Sequence, residues 1–294
     1  MPNAFEIRNL TKTYPGFQLG PLDLDLEPGA VLGYIGPNGS GKTTTLHAMV
    51  GLVRSDGGEI DVFGRRNDPE DPVWKSDIGY VGDAHVFYEG WSCARNLKFL
   101  SQVYPNWSDK LAGDLAGRLE VPLHKKAREL SGGNRVKLAL VSALAHSPRL
   151  LLLDEPTVGL DPLVRSEVLD VLFEALETGE RAIFYSTHIL SDIGRLADDL
   201  AFLSNGRIVL RAAKDNLADR WRRISFQLPT PQVALQAVVN QKAEGKDYLV
   251  VSSDHEVTLQ QLGELGARHI QVARMGIDEI AVEILKGARH VAAS

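Results

Sequence analysis

Gly36-Pro37-Asn38-Gly39-Ser40-Gly41-Lys42-Thr43-Thr44 constrains this chain more than any other segment. It matches G-x-x-x-x-G-K-[ST] and follows an apolar run over residues 30–35; from Gly41 onward the chain can start a helix. A strand, a glycine-rich turn and a helix in that order form a phosphate cradle. Glycines let the backbone curl so that successive N–H groups point inward, and the helix adds its positive end. Lys42 supplies a point charge to the outer phosphates, and the Thr43 hydroxyl suits a Mg²⁺ shell.

A second element has the complementary chemistry. Leu150-Leu151-Leu152-Leu153-Asp154-Glu155 is an apolar, strand-sized run that ends in two carboxylates. Asp154 is placed to serve the metal, and Glu155 to polarise an attacking water as general base. Such a pair alone is often a turn feature; together with the upstream cradle it reads as the other half of a nucleotide site.

Strand and helix patterns alternate along the first two thirds of the chain, which predicts a mainly parallel α/β sheet. Strands are expected at residues 5–10, 22–26, 30–35, 59–63, 78–81, 149–153, 182–186 and 200–203. Leu22-Asp23-Leu24-Asp25-Leu26 alternates strictly, so the N-terminal strands predict a separate antiparallel piece. Residues 93–145 have a helical pattern, and residues 163–176 read as an amphipathic helix with Val164, Val168, Val171, Leu172 and Ala175 near one face. Around residues 211–221 the character changes. A small α+β module is expected over 222–294, with strands at 224–228, 248–252 and 269–273 and helices at 232–240, 258–265 and 277–285. The division is 1–215 for the nucleotide-binding part and 222–294 for the accessory module.

Net charge is −6, from 32 basic and 38 acidic residues. Without clustered Lys and Arg, wrapping nucleic acid is disfavoured. The single cysteine, Cys93, cannot form an internal disulfide, which fits a reducing compartment. No uncharged apolar run approaches the roughly 20 residues needed to span a bilayer. The segment Met1-Pro2-Asn3-Ala4-Phe5-Glu6 has no signal-peptide character. Work at a membrane would therefore need a separate anchor.

With these motifs in place the chain resembles the ABC ATPase family over about residues 4–211. Leu130-Ser131-Gly132-Gly133-Asn134 resembles the family signature, usually LSGGQ. Gly159-Leu160-Asp161 looks like the D-loop, Ser186-Thr187-His188 like the switch histidine, and Tyr14 stands where the family places an adenine-stacking aromatic. The resemblance implies a P-loop NTPase core with antiparallel β and helical subdomains. It implies ATP as substrate, Mg²⁺ as cofactor, Glu155 and His188 as catalytic residues, and Thr43, Asp83 and Asp154 on the metal side. Two such cassettes, this chain with a second copy of itself or with a paralogous cassette, would sandwich two ATP molecules, with Ser131, Gly132, Gly133 and Asn134 of one facing the cradle of the other and Asp161 communicating between sites.

The chain departs from the family pattern at two positions. Asp83 stands where Gln is usual, and Asn134 replaces the final Gln of the signature. Residues 84–100 carry Val86, Phe87, Tyr88 and Trp91, and by resemblance this region receives a coupling helix of a permease. Tyr104-Pro105-Asn106-Trp107-Ser108-Asp109 is similar to bacterial export-type cassettes of the antibiotic-resistance and bacitracin-transport kind. The implied protein is the ATP-hydrolysing subunit of an exporter, peripheral on the cytoplasmic face of the inner membrane and coupled to a separate permease. The alternatives are a soluble ABC ATPase of translation or DNA metabolism, and a catalytically weak regulatory cassette. A single cradle speaks against the translation type. The absence of a heptad run between cradle and signature speaks against the DNA-repair type.

Overall fold

The computed structural model describes residues 2–68, 70–82, 87–176, 179, 181–228 and 234–293. The chain opens with β1 (Phe5–Tyr14) and β2 (Phe17–Leu26), an antiparallel hairpin closed by Pro15-Gly16 with Gly16 at φ 79°. Leu22, Leu24 and Leu26 are buried and Asp23 is exposed, as the alternation requires. β3 (Val31–Ile35) is buried throughout and leads through the glycine-rich loop into α1 (Lys42–Met49). β4 (Gly57–Val62) and the short β5 (Arg65–Arg66) complete the first sheet, in the order β2-β1-β4-β5.

β6 (Ile78–Val81) returns to the central sheet. The helical stretch then resolves into α2 (Cys93–Val103), α3 (Asp109–Arg118) and α4 (Gly132–Leu144). Each begins at a serine (Ser92, Ser108, Ser131) whose hydroxyl accepts a first-turn N–H and so satisfies an orphan donor. β7 (Leu150–Asp154), α5 (Pro162–Leu176), β8 (Ala182–Thr187), α6 (Leu190–Leu196), β9 (Asp199–Ser204), β10 (Arg207–Ala213) and α7 (Lys214–Arg220) follow.

The central sheet runs β10-β9-β3-β8-β7-β6, parallel from β9 to β6, with only β10 antiparallel. β3, β7 and β8 are buried at every residue, because parallel strands are covered on both faces. The register decides where the chemistry sits. Ile35 pairs with Thr187, Asp154 with Ser186, and Val81 with Leu153. Four parallel strands therefore end together, and the segments after them emerge side by side at the carboxyl edge of the sheet, where α/β sheets place their ligands.

The last third contains β11 (Arg222–Gln227), β12 (Val238–Glu244), β13 (Asp247–Ser252), α8 (His255–Glu264), β14 (Arg268–Arg274) and α9 (Ile277–Ala293), with the sheet order β12-β13-β11-β14. One expectation is corrected here. The predicted helix at 232–240 is not formed over its described part, because Val238–Glu244 is a strand paired antiparallel with β13. The hairpin pairs Glu244 with Asp247 around Gly245 at φ 64°. β-branched Val238 and Val239 favour the strand. Ile280 and Ala281 of α9 are fully buried in the same core cluster as Leu200, Phe202, Leu217 and Trp221 of the preceding part.

Candidate functional site

Gly36, Gly39 and Gly41 shape the loop between β3 and α1. Gly39 (φ 77°) and Gly41 (φ 112°) have left-handed backbone that disfavours any side chain. A Cβ at Gly41 would meet Leu19 Cδ1 at 2.6 Å, and one at Gly36 would meet Ser40 Oγ at 2.5 Å. The loop is thus pressed between β2 and its own turn, and its closed shape depends on glycine. Ser40 is 3% exposed and its hydroxyl has no hydrogen-bond partner among the described residues.

Lys42 is buried at the first turn of α1, and its ammonium donates to the carbonyls of Gly36 (2.8 Å) and Pro37 (3.3 Å). It also pairs with Glu155 Oε1 at 3.0 Å. A buried lysine persists only with partners of this kind. The loop carbonyls aim the ammonium across the sheet edge towards the carboxylate that follows β7.

Asp154 is 2% exposed, and its Oδ1 accepts from Ser186 Oγ at 2.8 Å, so neighbouring parallel strands orient it. Glu155 follows at φ 51°, an uncommon conformation for a side-chain-bearing residue, and is held by its N–H to the Ser186 carbonyl at 2.9 Å. His188 Nδ1 lies 3.0 Å from both Glu155 carboxylate oxygens, and the His188 N–H donates to Oε2 at 3.2 Å. Burial pushes the Glu155 carboxyl up, but the hydrogen bond from His188 and the Lys42 charge outweigh it and hold the group below its ordinary value.

These groups surround one cavity of about 840 Å³, lined by Tyr14, Asn38, Gly39, Gly41, Lys42, Thr43, Thr44, Asp154, Glu155 and His188 among others. Sequence reasoning missed Gly16, Phe17, Gly82, Val136, Pro156 and Val158, which also line it. Proximity to Tyr14 was the available signal for Phe17. Val136, on the second turn of α4, had no local signal. Tyr14 is 37% exposed, with Lys12 Nζ 5.7 Å from its ring centre.

Ser131, Gly132, Gly133, Asn134 and Asp161 do not line this cavity. Ser131 caps α4, accepting from the Asn134 N–H at 3.3 Å, and Gly132 is exposed. Asp161 caps α5, with Oδ1 accepting from the N–H groups of Leu163 and Val164, both at 3.1 Å. Asp83 and Val86 lie outside the described residues.

The donor set suits a small hard cation that keeps most of its waters. Thr43 offers one hydroxyl and Asp154 one carboxylate, and among the described residues no group of three or more His, Cys, Asp or Glu could hold a metal. Mg²⁺ bound by one or two protein groups plus phosphate oxygens has this requirement.

Residues 19–158 match the family model described as ABC transporter. The chain is 33% identical over 226 residues to the ABC transporter ATP-binding protein YtrB of Bacillus subtilis, a match covering 76% of this chain and 77% of YtrB. It is 28% identical over 288 residues to the bacitracin transport ATP-binding protein BcrA of Bacillus licheniformis, covering 96% and 93% of the two chains. A solved ATP-binding subunit of an ABC transporter aligns with TM-score 0.66 at 27% identity, covering 74% of this chain and 92% of that one. A dimeric ATP-binding cassette in a post-hydrolysis state with ADP and Pi has the same fold, with TM-score 0.65 at 23% identity over 71% of this chain and 98% of that one.

Proposed function

The chain belongs to the ABC transporter family of ATP-binding proteins, and on that premise we propose that it is the ATP-hydrolysing motor subunit of an exporter whose membrane-spanning permease is a separate chain. The observation that carries the reading is the convergence of Lys42, Thr43, Asp154, Glu155 and His188 on one cavity at the carboxyl edge of the sheet. The similarity to the bacitracin transport protein over 96% of this chain supports a role in transport, for which we propose the export direction. Among the described residues no helix is long and apolar enough to cross a membrane.

In this reading the loop from Gly36 to Thr44 wraps the ATP phosphates, and Tyr14 stacks on the adenine. Lys42 exchanges its contact with Glu155 for the outer phosphates. Thr43 and Asp154 hold Mg²⁺, which when bound neutralises phosphate charge; Asp83 is assigned to the same shell. Glu155, freed from Lys42, takes a proton from the attacking water, and His188 orients that water and the γ-phosphate. Ser131, Gly132, Gly133 and Asn134 do not line the cavity; in this reading they serve a second cassette, a copy of this chain or a paralogue, and the exposed start of α4 offers its N–H groups to that cassette's γ-phosphate across the interface. Asp161, at the start of α5, links the two sites. Tyr88 and Trp91 stack at 4.2 Å with Phe99 edge-on to both, and this half-exposed aromatic group receives the permease. The protein sits on the cytoplasmic face of the inner membrane.

The test is affinity purification of tagged Glu155→Gln from detergent-solubilised membranes with ATP and Mg²⁺. A stoichiometric polytopic chain is the expected companion. Recovery of the homodimer alone, or of ribosomal or DNA factors, would overturn the transporter reading.

A further inference from the structure

One buried carboxylate outside the cavity joins the segment after β7 to the segment after β8. Asp192, on α6 and 1% exposed, uses both oxygens. Oδ2 accepts from Thr157 Oγ1 at 2.5 Å and from Tyr185 OH at 3.2 Å. Oδ1 takes the Arg165 guanidinium, with Nε at 2.7 Å and a terminal nitrogen at 2.5 Å. The same guanidinium donates to Ser191 Oγ at 2.6 Å, and Thr157 and Tyr185 contact each other at 3.2 Å.

The four groups come from the loop after β7, from β8, from α5 and from α6. Thr157 lies two residues beyond Glu155, Tyr185 three before His188, and Asp192 four after it. Both residues proposed for the water are therefore anchored to one point by short lengths of chain. Glu155 itself has φ 51°. Such a conformation persists only where the surroundings over-determine it, and Thr157 is tied down immediately downstream. Burial, followed by the nearby Asp192 charge, keeps the Tyr185 phenol protonated, so it remains a donor.

We propose that Asp192 is a positioning residue for ATP hydrolysis: through Thr157 on one side and its own helix on the other, it fixes the Glu155 carboxylate against the His188 ring. The inference rests on the proposed roles of Glu155 and His188. An asparagine at 192 offers one acceptor where four donors now converge, so the loop and the helix lose their common anchor while the phosphate loop stays untouched.

The experiment is a double-mutant cycle of Asp192→Asn and Glu155→Gln in the full chain, read by single-turnover ATP hydrolysis, fluorescent-nucleotide binding and thermal melting. Asp192→Asn alone is expected to lower the hydrolysis rate by about 10- to 100-fold, the scale of a small misplacement of reacting groups, with nucleotide affinity within about threefold. In the Glu155→Gln background the same substitution is expected to cost less than about threefold, because groups acting through one another are not additive. A full multiplicative loss in both backgrounds, or a loss that appears in affinity, would overturn the proposal in favour of a purely structural role. A wild-type rate in Asp192→Asn with a large loss in Glu155→Gln would overturn it while leaving the base assignment standing; a wild-type rate in Glu155→Gln would overturn both. If Asp192→Asn does not fold, Thr157→Val, which removes one donor and no charge, is put through the same cycle with the same criteria and a smaller expected loss.

Discussion

Glu155 shows how one carboxylate is prepared before any nucleotide contact. It is bonded to Lys42 and His188 at 3.0 Å each, and its backbone is turned to positive φ at the end of a buried strand. On the proposed reading, removing its charge keeps the shape but takes away the general base. Glu155→Gln should therefore slow steady-state turnover by about 10²-fold or more, with phosphate release as the readout; an unchanged rate would remove Glu155 from the reaction. Lys42→Ala deletes the ammonium held over the loop carbonyls and should abolish tight ATP binding, which calorimetric titration would show; unchanged affinity would refute the cradle. Both residues were legible from spacing alone, because the loop and the strand-carboxylate pair are contiguous in sequence. Asp192, Thr157 and Tyr185 were not, since their bonds join four segments that only the folded sheet edge brings together. The pressing of Gly41 against Leu19 was equally hidden: the motif asks for glycine, but only the packing of β2 over the loop gives the reason.

Elements carry the site through their ends, and these were legible to different degrees. β3 and β7 announce themselves as apolar runs, whereas residues 93–145 read as one helical pattern and only the fold divides them into α2, α3 and α4, each opening at a serine cap. β12 failed as a prediction because its residues are mostly exposed, so neither face carries a clean apolar period. The join between α4 and β6 is also more specific than its sequence. His146, just past α4, is 1% exposed, stacks on Tyr104 at 4.0 Å, and its Nε2–H donates to the Ile78 carbonyl of β6 at 3.0 Å. Burial lowers its pKa from 6.5, against the opposing pull of the Ile78 carbonyl. The sign follows. Between the depressed folded value and about 6.5 the unfolded chain binds the proton and the folded chain does not, so stability rises with pH through that window and is lost on acidification. His146→Gln keeps an N–H for the carbonyl and cannot titrate there. Its urea midpoint should fall less between about pH 7.5 and pH 5 than that of the parent; an equal fall would assign the acid sensitivity to other groups.

At the scale of the molecule the question is whether the last third is an appendage, as a boundary near residue 222 implies. Its own core is small: Ile224, Phe226, Leu228, Tyr248, Val250 and Leu262 are its buried apolar side chains. Its long closing helix does not face that core alone. α9 meets α6, α7, β9 and β10 on one side and β12 on the other. Ile280 is fully buried in the larger cluster, and Val251 of β13 belongs to that cluster too. Polar ties hold α9 to its own sheet, with Arg223 pairing Glu279 at 2.9 Å and Asn240 Nδ2 donating to Glu283 at 2.7 Å. A helix that fills a shared core couples the melting of both parts, because neither can open without exposing the other's apolar surface. Ile280→Ala removes a buried branched side chain and should cost about 2–5 kcal/mol. The expected calorimetric trace is one transition at lower temperature, with ATP hydrolysis lost at the same point. Two separated transitions, the earlier leaving hydrolysis intact, would show that the C-terminal part stands apart from the motor and that the seam along α9 carries little of its stability.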